Sequence, residues 1–131
     1  MKSQFKTDLH FHLRTDNEKI HVLDSPLLYY SVLLDRFLSV PAGFETDLSS
    51  VPRLPIVYWF WGGRAHREGV LHDYLFRKDS NPSVSFWQAN AIFKEAMIAR
   101  NKPSYVVYPM FAGVTVGGYP SYHKRMVMDK L

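Results

Sequence analysis

R-A-H-R-E-G-V-L-H-D-Y-L-F-R, residues 64 to 77, is the stretch on which the reading of this chain turns. On a helix, Ala65, Gly69, His72 and Phe76 fall along one stripe with Leu75 beside it, so His72 points where the apolar side chains point. A buried imidazole needs a partner, because an unsatisfied polar group costs about 1–3 kcal/mol. Gly69 removes bulk from the same stripe and lets a second element come close. The partner is expected on the next helix. Ser85-Phe86-Trp87-Gln88 has the spacing of a capping box, and the helix it opens runs to about Arg100. Its stripe is Phe86, Asn90, Phe93 and Met97, with Ala89 beside it. Asn90 is the polar residue on that apolar face, as His72 is on the other, and the economical inference is that the two meet.

Upstream, Phe5, Thr7, Leu9, Phe11 and Leu13 alternate with charged and histidine residues, the period of a strand with one wet face. Thr15-Asp16-Asn17-Glu18 reads as a turn and Lys19 to Asp24 as the returning strand. A two-residue turn would pair Leu13 with Ile20 and Phe11 with Val22, and would set His12 opposite His21 with His10 diagonal. Those three histidines are a candidate metal face, since imidazole is a common ligand; the alternative is a solvated face rich in histidine. Leu27 to Leu33 and Phe37 to Val40 read as two further strands.

P-A-G-F-E-T-D-L-S-S-V-P-R, residues 41 to 53, lacks a sustained period and reads as a loop. Asp47, Ser49 and Ser50 either brace its backbone, or Asp47 supplies a carboxylate to the His72 site. Leu54 to Trp61 is a buried strand or an apolar helical turn; periodicity does not decide. Its end, Tyr58-Trp59-Phe60-Trp61, is core or a contact patch for another chain. Val107, Met110, Phe111 and Val114 have helical spacing despite Pro109, though the valines also suit strands; helix is favoured. Residues 119–131 read as an exposed basic arm, either a solvated terminus or a contact for a phosphate backbone.

Composition bounds the function. A chain of 131 residues, 47% hydrophobic and 15% aromatic, is long enough for one domain with a substantial core. The absence of cysteine excludes disulfides and thiolate metal sites and suits a reducing cytoplasm. No apolar run approaches the roughly 18 residues of a membrane span, and M-K-S-Q-F-K-T-D-L has no apolar core, so no signal peptide is expected. The net charge of +4 is scattered, a weak argument for nucleic acid.

Three blocks, V-P-A-G-F-E-T-D-L-S-S-V-P-R (40 to 53), H-D-Y-L-F (72 to 76) and A-N-A-I-F-K-E-A-M (89 to 97), together resemble a family of small proteins of unknown function found widely in tailed bacteriophages and prophages. The resemblance covers roughly residues 20 to 120. It implies a phage or prophage origin and a site, but no reaction. The paired helices also resemble the secreted phospholipase A2 core. That second resemblance makes His72 a general base and Asp73 a calcium ligand, with Asn90 where an orienting Asp stands and Phe76 where a Tyr stands. Both departures weigh against catalysis; in a serine protease triad the same Asp-to-Asn change costs on the order of 10⁴ in rate.

The expected architecture is α+β, a small N-terminal antiparallel sheet packed on two or three helices, in a single domain spanning 1–131. The expected function is a non-enzymatic phage protein: a minor virion component of tail, baseplate or head, or an assembly factor. It would reside in the virion or the host cytoplasm, bind other phage proteins or itself, and need no cofactor. The alternative is a calcium- or metal-assisted hydrolase of a lipid or cell-envelope bond, built on His72, Asp73, Asn90 and Asp47.

Overall fold

The structure is a computed structural model and describes residues 2–48 and 67–131. Ser49, Ser50, the aromatic run Tyr58–Trp61 and Ala65 lie outside the described residues. The described chain is α+β. Six short strands in the N-terminal part form two antiparallel three-stranded sheets, followed by three helices.

The first sheet has the order β1-β4-β5, with β1 at Gln4–Phe5, β4 at Leu27–Ser31 and β5 at Arg36–Val40. Along β4 the residues at 27, 29 and 31 are buried and those between are less so, the alternation of a half-buried strand. Leu38 and Val40 continue the same inner face on β5. The second sheet has the order β2-β3-β6, with β2 at Phe11–Leu13, β3 at His21–Leu23 and β6 at Glu45–Thr46.

Two expectations for the strands are corrected. The alternating run from Phe5 to Leu13 is not one strand, because its ends pair in different sheets. The crossing is held by Thr7, whose hydroxyl donates to the Pro26 carbonyl and accepts from the Leu28 amide (2.9 Å), so the side chain replaces a ladder bond. The β2–β3 register is shifted by one residue: Phe11 faces Leu23, His12 faces Val22 and Leu13 faces His21. Asn17 sets this turn. Its carbonyl accepts from Ile20 N (3.0 Å) and its side chain from Lys19 N (3.1 Å). The loop is longer than two residues, and Ile20, buried in the core, stands opposite Arg14, whose N–H donates to its carbonyl (3.2 Å), instead of opposite Leu13. A one-residue slip exchanges faces, so His12 and His21 lie on opposite sides of the sheet.

Helix α1 spans Arg67–Leu75, α2 spans Phe86–Ala99 and α3 spans Ser104–Gly117. The expected stripe on α1 is too narrow: all of its residues but Arg67 are buried, the pattern of a helix inside the core. The capping box on α2 is present in both directions, Ser85 Oγ accepting from Gln88 N (3.1 Å) and Gln88 Oε1 from Ser85 N (2.9 Å). Pro109 is accommodated within α3. Its inner face is Val106, Val107, Met110 and Val114, packed with Phe93 and Met97 of α2 in a second apolar cluster, and Phe111 is only half-buried. Glu95 of α2 ties the β4–β5 hairpin to the helices by accepting from Tyr29 Oη (2.7 Å), Ser31 Oγ (2.8 Å) and Leu33 N (2.8 Å). Burial, then Glu95, pushes the Tyr29 phenol far above its ordinary range.

Residues 119–131 are not a free arm. Tyr119–Ser121 is a 3-10 turn, the Tyr122 ring lies 5.5 Å from Phe76 and 5.8 Å from Phe86, and Val127 is buried in the main core. The end is clamped by Glu45, whose carboxylate accepts from Arg14 (3.0 Å) and Leu131 N (3.2 Å) and pairs with Lys130 (3.3 Å). Burial works against the Glu45 charge, but Leu131 N–H, Lys130 and Arg14 prevail and hold its carboxyl below the usual range.

Candidate functional site

α1 and α2 pack against each other, and His72 and Asn90 meet at that contact. Both are 0% exposed, and His72 Nε2 lies 2.8 Å from Asn90 Oδ1. An amide oxygen only accepts, so Nε2 carries the proton and donates. This is the tautomer that a carboxylate at position 90 would select, rather than the opposite one. The imidazole is wedged between two aromatic rings, Phe76 at 4.2 Å and Phe93 at 4.8 Å between centroids. The other side of the amide, Asn90 Nδ2, is buried without a hydrogen-bond partner among the described residues.

Asp73 points elsewhere. Its Oδ2 accepts from Thr46 Oγ1 and from Arg77 Nη2 (3.1 Å), and the Asp73 and Arg77 side chains are 7% and 4% exposed. Arg77 also donates to the carbonyls of Glu45 (2.9 Å) and Met126 (3.1 Å), and its guanidinium lies 4.7 Å from the centre of the Phe44 ring. Thr46 Oγ1 in turn accepts from Leu48 N (2.9 Å). The G-F-E-T-D block and the H-D-Y-L-F block are therefore joined through Thr46, Asp73 and Arg77. Gly43 opens the first block at φ 85°, a conformation that glycine adopts without strain. This turn lets Phe44 enter the core against Tyr74, 5.9 Å between ring centres.

Asp73 is thus an ion-pair partner, and its use as a calcium ligand would require breaking a buried salt bridge. Thr46 and Arg77 were not singled out from sequence, though the i, i+4 spacing of Asp73 and Arg77 is the spacing at which opposite charges meet on a helix. Glu68, one turn before His72, is a third such residue: it is fully buried and accepts from Arg100 at 3.0 and 3.2 Å. Asp47 follows β6 and acts on His21, whose affinity for a proton it raises.

The candidate metal face does not form. His12 Nδ1 pairs with Asp24 at 2.5 Å, while His21 packs its ring 5.1 Å from Phe11 on the other face. No group of three histidine or acidic side chains suited to a metal comes together among the described residues. His21 is nevertheless pH-sensitive. Burial holds its pKa below the ordinary imidazole range, against smaller opposing effects from Thr46, Lys19 and Asp47. With the folded value depressed, the unfolded chain takes up the proton first. The stability from a neutral His21 is complete above about pH 6.5 and falls as the pH drops through the folded value. Melting curves from pH 7.5 to 5 are expected to show this loss, and His21→Phe to flatten it. A slope unchanged in the variant would assign the effect to another group.

Among the described residues no helix is long and apolar enough to cross a membrane. Neither curated proteins nor solved structures provide a match. Residues 21–114 match the family described as Protein of unknown function (DUF1353). That span contains β3 to β6, the Thr46–Asp73–Arg77 junction and the His72–Asn90 contact, and the chain belongs to this family.

Proposed function

We propose that the protein is a non-enzymatic phage protein, a minor component of the virion tail, baseplate or head or a factor in its assembly. The observation that carries the reading is the closed state of the His-Asp pair. Nucleophilic or general-base chemistry needs an imidazole that reaches a reacting group within about 2.6–3.2 Å, whereas His72 is fully enclosed and Asp73 is spent on Arg77 and Thr46. These residues serve as the bolt between two sequence blocks. The phage origin rests on the likeness of those blocks to phage and prophage proteins.

The outer surface suits a protein whose work is contact. Tyr105, Tyr108 and Val116 form an exposed row on α3, which carries no charged residue. The row itself is uncharged and rich in tyrosine, with Lys94 of α2 reaching over the Tyr108 ring, 5.0 Å from its centre, and such a composition fits an interface, where charged residues are depleted and aromatic ones enriched. The partner is another phage protein, met in the virion or in the host cytoplasm. Mass spectrometry of purified particles is expected to find the protein at several copies each. Tyr105→Ser with Tyr108→Ser is expected to reduce that copy number while shifting stability by only about 1 kcal/mol for the two exposed positions together. Absence from particles, together with calcium-dependent turnover of an ester or phospholipid that is lost in His72→Ala, would favour the hydrolase instead. The one feature on that side is the Nε2-protonated tautomer, which is also the tautomer of a working base.

A further inference from the structure

The chain between Gly118 and Val127 wraps around the end of α1 and is fixed there at many points. His123 N donates to the Phe76 carbonyl (2.8 Å), Lys78 N to the Arg125 carbonyl (2.8 Å), Arg77 to the Met126 carbonyl, and Val127 N to Asp79 Oδ1 (2.6 Å). Tyr122 Oη donates to the Val84 carbonyl. A side chain at Gly118 would collide with the Val114 carbonyl, so the wrap also needs glycine at its start. Between the wrap and α1 lies an open recess of about 200 Å³, lined by Asp73, Phe76, Arg77, Pro120, Ser121, Lys124 and Arg125. That is several times the roughly 30 Å³ share of one liquid water.

The charges of this recess do not cancel. Arg77 and Asp73 neutralise each other within the wall. Lys124 and Arg125 remain, both exposed and neither engaged by a carboxylate among the described residues; the Ser121 hydroxyl is likewise uncommitted. The nearby carboxylates of Asp79 and Asp129 keep their charge but accept from Val127 N and Met126 N (2.9 Å) and pair with neither Lys124 nor Arg125 among the described residues. Lys78 adds a further positive charge: burial first, and Lys78 second, holds His123 below its ordinary range. His123 itself has φ 57°, in the left-handed region, which histidine tolerates better than most residues other than glycine. Here it turns the chain so that Lys124 and Arg125 follow directly at the recess.

We propose that this recess binds a phosphate-type oxyanion through Lys124, Arg125 and the Ser121 hydroxyl, against the fixed wall of Arg77. The two surplus cations match the charge of about −1.5 to −2 on a phosphate monoester at neutral pH. Guanidinium and ammonium donors to such oxygens make the stronger, charge-assisted class of hydrogen bond. The site is separate from the His72 contact and stands whether or not the protein is a virion component.

The test is a titration of the full-length, ¹⁵N-labelled protein with sodium phosphate against sodium chloride at matched ionic strength. Saturable amide shifts confined to Ser121–Met126 are expected with phosphate. Lys124→Ala with Arg125→Ala should weaken binding about tenfold or more, with an unchanged melting temperature because both side chains are exposed. A 5′-mononucleotide and an unphosphorylated oligonucleotide distinguish the sources. Binding of phosphate and the mononucleotide assigns a monoester ligand, while binding of the oligonucleotide alone assigns a nucleic-acid backbone to the same site. Shifts no larger than those in chloride for all three, or shifts that survive the double substitution, would overturn the proposal.

Discussion

Arg77→Leu is expected to destabilise the protein by about 3–5 kcal/mol, the range for breaking a buried ion pair by removing one member. Leucine keeps part of the bulk over Phe44 but leaves Asp73 charged and enclosed, with Thr46 as the other donor to its Oδ2. It also strips the Glu45 and Met126 carbonyls of their guanidinium donor, loosening β6 and the C-terminal wrap together. For a chain of this size the melting temperature should fall on the order of 10–20 °C. Asp73→Leu alone strands the guanidinium and should cost a similar amount. The double variant should cost clearly less than the two singles added, because neither buried charge is then left alone. Denaturant midpoints of the four proteins close the cycle. Additive costs would mean that the ion pair is not what joins the two sequence blocks.

Helices and the polar contact between them were legible in the sequence for a definite reason. Ser85 with Gln88 is a local signal, and Asn90 and His72 were each the polar exception on an apolar face, so their meeting followed from the cost of leaving either unsatisfied. The third helix was legible through its period, although Pro109 and the valines gave conflicting propensities that packing against Phe93 and Met97 resolved. The sheets were less legible. Alternation from Phe5 to Leu13 reports which residues face inward, but not that Phe5 pairs with Tyr29 in one sheet and Phe11 with Leu23 in the other. Register was lost by one residue at Asn17, because a side chain that caps the turn lengthens it without altering the hydrophobic pattern much. The role of Asp73 was hidden for a different reason. Its neighbour His72 suggested chemistry, whereas its partners, Thr46 and Arg77, come from 27 residues before it and four after. The basic run at 123–125 reads as part of an exposed arm, a solvated terminus or a phosphate contact, since nothing local announces that Tyr122 and Val127 are anchored on either side.

The second large effect is expected at His72 itself. His72→Ala removes a fully buried ring from between Phe76 and Phe93 and leaves the Asn90 carbonyl without its donor. Cavity and stranded amide together should cost about 2–5 kcal/mol. Two further variants separate these contributions. His72→Phe refills the space and leaves only the orphaned amide, for about 1–3 kcal/mol, and Asn90→Leu removes the acceptor of the His72 Nε2 proton at a similar cost. Combined, His72→Phe with Asn90→Leu turns the contact apolar on both sides and should cost much less than the sum of the singles. The same site discriminates brace from catalyst. Asn90→Asp puts an ionised group into a contact with no solvent access, so a brace should lose stability, and millimolar calcium should not restore it. A catalytic site would instead gain turnover from the new carboxylate and bind calcium through Asp73, raising the melting temperature by mass action. Melting curves with and without calcium, run beside ester and phospholipid assays, decide between them. The Arg77 salt bridge already occupies Asp73, so the expected result is a calcium-independent loss of stability and no turnover in either protein.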